Sequence, residues 1–280
     1  MSRFEIRRLR RLEEFRQCER IQNRVWGTLA ASSELLTVTA KYGGVILGAL
    51  ANGRVVGFIY AFLARRHGRL VHWSHLMAVE ARYRDHGLGF RMKLAHRRLA
   101  LEQGIKTICW TYDPLQSRNA FLNIARLGGL VSEYLPDCYG HFPSRIEKGL
   151  PSDRFVVEWN IASRRVARRL DMRVSHSPGP RTPRVNQARV NASGFLENLG
   201  IALRLDAPRL LVEIPAHTDA MRSHAWPLAR RWRLETRRIF ERYLAAGYRV
   251  EDFIPRDTAQ DSRCFYVIRR SAPGSGSRRL

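Results

Sequence analysis

The chain has 280 residues, 45% of them apolar, which allows one large domain or two small ones around a sizeable core. No apolar run approaches the roughly 18 residues of a membrane span, the start Met1-Ser2-Arg3-Phe4-Glu5 lacks the apolar stretch of a secretory signal, and Cys18, Cys109, Cys138 and Cys264 form no CxxC pair, which disfavours zinc or dithiol redox chemistry and fits a reducing cytoplasm. The formal net charge of +24 invites a nucleic-acid partner, but the only lysines are Lys41, Lys93, Lys106 and Lys148, a skew that GC-rich coding produces, and the arginines are spread along the chain, so this is the lesser reading.

Taken in chain order, residues 4–9 read as a short strand. Over 12–26 the apolar residues Leu12, Phe15, Ile21 and Val25 recur at helical spacing up to Gly27. Residues 43–50 and 54–63 are two apolar runs joined by Ala51-Asn52-Gly53, a hairpin turn signal. Residues 70–79 form the next strand, whose strict alternation places Trp73, His75, Met77 and Val79 on one face. A glycine-containing turn leads into a helix over 87–103 closed by Gly104. A strand over 106–112, a helix over 117–127 ended by Gly128, and strands over 130–135 and 154–159 complete a β-α-β-β-β-α-β-α-β-β order within residues 4–161.

Residues 163–195 begin with the basic Ser163-Arg164-Arg165-Val166-Ala167-Arg168-Arg169 and include the turn-rich Ser177-Pro178-Gly179-Pro180-Arg181-Thr182-Pro183, so they read as a linker or surface excursion. A strand over 209–214, a helix over 222–246 that Pro227 starts or kinks, and strands over 248–254 and 264–268 come next, with a tail from about 271. The domains are thus 1–162, a linker over 163–195, and a C-terminal α/β half-domain over 196–280. This β-α-β-β series has the order of residues 105–161, and Ile124-Ala125-Arg126-Leu127-Gly128 lines up with Tyr243-Leu244-Ala245-Ala246-Gly247. A degenerate repeat of half a domain and a chance likeness of common α/β pieces both explain it.

The segment Val79-Glu80-Ala81-Arg82-Tyr83-Arg84-Asp85-His86-Gly87-Leu88-Gly89 joins a strand to a helix. Gly87 and Gly89 let backbone N–H groups approach a ligand with no Cβ in the way, and the helix start adds unpaired donors and the positive end of its dipole. The result is an anion site that fits a pyrophosphate. The spacing is neither GxxxxGK[ST] nor GxGxxG, which disfavours P-loop and dinucleotide folds. Arg84, Gly87 and Gly89 match the [QR]-x-x-G-x-[GA] pattern of the GNAT acetyltransferase superfamily, and the element order over 4–161 resembles that superfamily too. Ser74-His75-Leu76-Met77-Ala78-Val79, Asp113-Pro114-Leu115-Gln116-Ser117-Arg118-Asn119-Ala120 and Gly149-Leu150-Pro151-Ser152-Asp153-Arg154 are similar to a group of bacterial GNAT proteins of unassigned substrate.

The resemblance implies an α/β fold: a GNAT-like mixed twisted sheet flanked by helices, extended here by the C-terminal β-α-β-β series. It implies acetyl-CoA, or another acyl-CoA, as co-substrate, bound by Arg84, Asp85, His86, Gly87, Leu88 and Gly89 and by backbone groups of Met77, Ala78 and Val79, which would polarise the thioester carbonyl. An amine acceptor attacks directly, with a general base and an acid for the leaving thiolate. His75 is the candidate base, since imidazole titrates near neutrality, although a core histidine is the plainer reading. Where the superfamily places an acidic tyrosine, this chain has Ile124. Tyr139 is a candidate replacement, Asp113 a candidate ligand for the substrate amine, and Asn119 a candidate contact to CoA. The alternatives are a CoA-binding module without catalysis and a nucleic-acid-binding protein. The acceptor is unknown, no membrane association is expected, and a homodimer is left open.

Overall fold

A computed structural model describes residues 4–140, 149–171, 181–258 and 261–270. It divides into two compact units. Of the described residues, the first holds those up to Trp110 with Trp159–Ser163, and the second holds those from Thr111 to Glu158 and from Arg164 onward. These units interleave along the chain, unlike the linear division expected from composition. Among the described residues, no helix is long and apolar enough to cross a membrane.

In the first unit, β1 (Glu5–Arg8), β2 (Val45–Ala51), β3 (Arg54–Arg66), β4 (Arg69–Val79) and β5 (Thr107–Tyr112, whose last two residues belong to the other unit) form a mixed sheet in that order. All neighbours run antiparallel except β4 and β5, which are parallel. The turn between β2 and β3 is set by Asn52 and Gly53 at φ 49° and 74°, the left-handed pair that matches strand twist. The β3–β4 turn repeats the device with His67 and Gly68 at φ 48° and 72°.

Helices α1 (Leu12–Trp26) and α2 (Ser33–Lys41) cover one face of this sheet, where Phe15, Cys18, Ile21 and Leu36 pack with Ile46, Phe58 and Tyr60. Glu14 closes the first turn of α1 by accepting from the Arg10 and Arg11 amides at 2.9 and 3.1 Å. Helix α3 (Leu88–Glu102) covers the other face through Leu88, Met92 and Ala95, against Leu47, Val56 and Ile59. Helix α2 was not expected from the sequence, because it turns Leu35, Val38 and the following Tyr42 outward and so shows no inward apolar stripe.

The second unit orders β7 (Arg154–Asn160), β6 (Leu130–Leu135), β11 (Tyr248–Thr258), β12 (Asp261–Arg270) and β10 (Arg209–Pro215), all antiparallel. Its helices are α4 (Ser117–Ala120, continued by a π-helical turn over Phe121–Arg126), α5 (Arg164–Asp171), α6 (Thr218–His224) and α7 (Trp226–Ala245); the single helix expected over 222–246 is divided at Ala225, with Pro227 in the first turn of α7. The two β-α-β-β series share their element order, and β6 meets β11 at Val131 and Val250.

Residues 163–195 are more structured than a linker. They hold α5 and β8 (Asn186–Val190), which pairs with β9 (Leu196–Ile201) in a separate hairpin. Their order comes from long-range contacts: Val166 is buried, and Arg169 donates to the Ala125 carbonyl at 3.3 Å and to Asp252 at 2.8 Å. Residues 177–180 and the tail from 271 lie outside the described residues.

Asp113 sits at the centre of the second unit. Arg233 grips its carboxylate with two parallel bonds of 2.7 Å, Arg222 adds a third of 2.7 Å, and the Leu115 amide a fourth of 2.8 Å. Burial alone would raise the Asp113 pKa, but the two guanidinium groups outweigh it and hold the carboxyl well below the usual range. Removing the carboxylate takes from two buried cations their shortest ion pairs. Asp113→Ala is therefore expected to lower stability by about 3–5 kcal/mol in urea unfolding; a loss under about 1 kcal/mol would contradict this role.

Candidate functional site

The site is built on β4, the loop after it and the start of α3. Along one edge β4 pairs with β3 from Arg66↔Arg69 to Gly57↔Val79. Along the other it pairs with β5 at His72↔Ile108 and Trp73↔Cys109, and among the described residues no β5 partner lies beyond Trp73. A stretch of backbone up to Val79 is left with one edge open.

The ladder between β3 and β4 also slips. Ala61 faces Ser74 and Tyr60 faces Leu76, so His75 is an extra residue in a β-bulge. The bulge exchanges faces. His72 and Ser74 point to α3, as do Met77 and Val79 beyond it, whereas His75 meets the Tyr60 and Phe62 rings at 5.8 and 6.1 Å on the α1–α2 side, with Leu76 and Ala78. The expected common face of His75 with Met77 and Val79 is therefore corrected, since one inserted residue reverses the alternation.

After Val79 the chain makes a single 3-10 turn over Ala81–Tyr83. Glu80, buried, pairs with Arg24 and also with Arg82 at 3.5 Å. Arg84 donates through Nε to the Val79 carbonyl at 3.1 Å, which folds its exposed guanidinium back over the end of β4. Asp85 and Gly87 are left-handed at φ 64° and 69°, and Gly87 starts α3 with no side chain capping it among the described residues. The segment 84–87 is exposed, while Leu88 is buried and pins the helix start. An exposed helix N-terminus beside an arginine has the electrostatic character that favours an anion.

Residues 6–123 match the model of the acetyltransferase (GNAT) family, a span that takes in β4, this loop, α3 and β5. The chain contains a GNAT acetyltransferase domain. Similar solved structures include an acetyltransferase of the GNAT family from Streptococcus pneumoniae (17% identity, TM-score 0.46, covering 56% of this chain and 98% of that one). Another is an N-acetyltransferase from Staphylococcus aureus Mu50 (16%, 0.45, 57% and 99%). A third is Naa50 of Arabidopsis thaliana in complex with the bisubstrate analogue CoA-Ac-MVNAL (15%, 0.46, 55% and 97%). No curated protein matches the sequence.

The GNAT domain brings together Met77, Ala78, Val79, Arg84, Asp85, His86, Gly87, Leu88 and Gly89 at one end of β4 and α3. The side chains of Leu88 and Ala78 are buried in the two core clusters, and those of Met77 and Val79 pack, partly buried, against the α3 core. The exposed His86 ring lies 6.0 Å from Phe4. His75 is half-buried, and burial pushes its imidazole below the ordinary value, so the neutral, proton-accepting form prevails at neutral pH.

Asp113, Asn119 and Tyr139 belong to the second unit. Asp113 is taken up by its two arginines, which corrects its assignment to a substrate amine. Tyr139 is exposed, its hydroxyl 3.0 Å from Thr111 Oγ1, and Asn119 is exposed on α4. Ile124 is fully buried in the π-helical turn, so no acid stands at that position. Tyr243 is a structural tyrosine that donates to the Ala202 carbonyl at 2.7 Å.

Sequence reasoning missed a buried polar group under β4. Lys93 of α3, 2% exposed, donates to Ser74 Oγ at 3.1 Å and lies over the Trp110 ring at 3.6 Å from its centroid. Beside it His96 stacks on His72, their ring nitrogens 3.1 Å apart. The signal was present: Lys93, His96 and Ala100 share helical spacing on the buried side of α3. Burial brings the Lys93 ammonium down to about 7, holds His72 at about 4, and keeps His96 well below the usual value.

The sign of the Lys93 effect is definite. Between about 7 and 10.5 the unfolded chain holds a proton that the folded form has released, so stability rises with pH across that window. Below it both forms are protonated and the burial penalty is full. Lys93→Met is expected to stabilise the protein by about 1–4 kcal/mol at pH 6, with the gain shrinking as pH approaches 10. Melting curves at three pH values check this, and a gain that grows with pH refutes it.

Proposed function

We propose that this chain is an N-acetyltransferase that moves the acetyl, or another acyl, group of acyl-CoA onto a primary amine by direct attack. The observation that carries the reading is the continuous unit of β4, loop and α3, open along one strand edge and ending in an uncapped helix N-terminus, inside the span that matches the family.

The pyrophosphate would rest on the backbone N–H groups at the start of α3 with Arg84 beside it, and the positive helix end would favour its charge. The open edge of β4 up to Val79 would hold the pantetheine and offer N–H groups to the thioester oxygen as negative charge develops there. His75 is the base we assign. Its ring is neutral at working pH and faces away from α3, on the α1–α2 side of the sheet. It would take the ammonium proton of the acceptor before or during attack. The buried Ile124 favours a second reading, a domain that binds acyl-CoA without transferring the group. Acyl transfer to a panel of amines, with mass spectrometry of the products, separates the two.

Gly89 lies in the first turn of α3. Gly89→Glu adds bulk and a negative charge where the pyrophosphate is placed, and losing one charge-assisted hydrogen bond costs roughly 1.5–3 kcal/mol. CoA affinity by calorimetry is expected to fall about tenfold or more. A variant folded by circular dichroism that binds CoA like the parent would sink the assignment.

His75→Ala is expected to lower turnover by about 10²–10⁴-fold while leaving CoA affinity nearly unchanged. Unaltered turnover in the folded variant returns His75 to a packing role.

A further inference from the structure

The β4–β5 ladder ends at Trp73↔Cys109. The next residue on β4 is Ser74 and the next on β5 is Trp110, and one side chain touches both. Lys93 donates to Ser74 Oγ at 3.1 Å and sets its ammonium 3.6 Å from the Trp110 ring centroid. Ser74 is also the residue just before the bulged His75. A buried cation therefore stands in the crotch where two parallel strands part. It is an expensive place for one, because a single hydroxyl and one aromatic face replace a full hydration shell. The Trp110 indole N–H is buried there too, with no hydrogen-bond partner among the described residues.

We infer that Lys93 is a positioning residue for the acyl-CoA fork: its ammonium fixes Ser74 and Trp110, and through them the bulge and the width at which the thioester end is received. This rests on the acyl-CoA reading above and assigns to it a residue and a regulation. The ammonium can hold both strands at once, because it donates to the hydroxyl while its charge is attracted to the indole face. The neutral amine loses the second attraction, and the fork relaxes.

Deprotonation near 7 makes this a control operating at physiological pH. The titratable neighbours do not mask it. From α3, His96 faces Lys93; from β4, His72 lies behind His96; from β1, Arg8 acts on His72; Trp110 of β5 carries no charge. Both histidines stay neutral from pH 6 to 9. Across that range the change in this cluster is the Lys93 proton. Protonated below the midpoint, the fork is set for ligand; deprotonated above it, the fork is not.

The test compares two probes by calorimetry on the full chain: acetyl-CoA, and ADP, which has the pyrophosphate but no pantetheine. In the parent, the preference for acetyl-CoA over ADP is expected to fall about tenfold between pH 6 and pH 8.5, the loss of one charge-assisted contact. In Lys93→Met, ADP affinity should match the parent, acetyl-CoA affinity at pH 6 should drop about tenfold, and the pH dependence should vanish, although the variant is the more stable protein. Ser74→Ala, a milder change, should keep the pH dependence but move its midpoint to lower pH, since the ammonium has lost its hydroxyl partner. A Lys93→Met protein with the parent's preference and pH profile overturns the fork assignment. A parent that binds neither probe overturns the acyl-CoA reading itself.

Discussion

The backbone of β4 is constrained along one edge and released along the other. Ladder bonds to β3 hold it through Val79, while β5 accompanies it only to Trp73. Everything that makes the first unit chemically suggestive depends on that asymmetry. Along the open edge the backbone groups of β4 have no β5 ladder to pair with among the described residues, and buried backbone groups left unpaired carry a cost. The bulge turns His75 to one face and leaves Met77 and Val79 to anchor the strand on the other. The anchored end then delivers the chain into a loop whose exposed amides begin α3.

Polar groups are buried in two different styles in this chain. Asp113 is held by two arginines through short bonds to both carboxylate oxygens, and Arg222 has a second anion in Asp219 at 3.7 Å, so these buried charges face opposite charges. Lys93 pairs with no anion among the described residues, and its neighbours are a hydroxyl, an indole face and two imidazoles. The first arrangement satisfies charge with charge and is built to last. The second leaves the cation dependent on neutral partners, a condition that suits a group whose state changes.

Much of this was legible from residue order. Asn52-Gly53 marked a hairpin, Gly104 and Gly128 marked helix ends, and Gly87 marked the turn that starts α3, because each is a local requirement of backbone geometry that a few residue types can meet. The features that stayed hidden depend on distant partners. The bulge at His75 is a relation between β3 and β4, and the composition of β4 does not betray it. Helix α5 forms where its arginines find Ala125, Asp252 and Glu251 far along the chain. Asp113 reads locally as an Asp-Pro turn, yet its carboxylate is engaged by residues 109 and 120 positions away.

Strand β6 has a neighbour on each side, β7 and β11, so this chain supplies from its own C-terminal half the partner that an open sheet edge would otherwise seek from another molecule. At β10 the outer rim is met at one point, where Leu211 exchanges backbone bonds of 2.8 and 2.9 Å with Val185 and Pro183. Any strand that joined this unit at β6 would first have to displace β7 or β11.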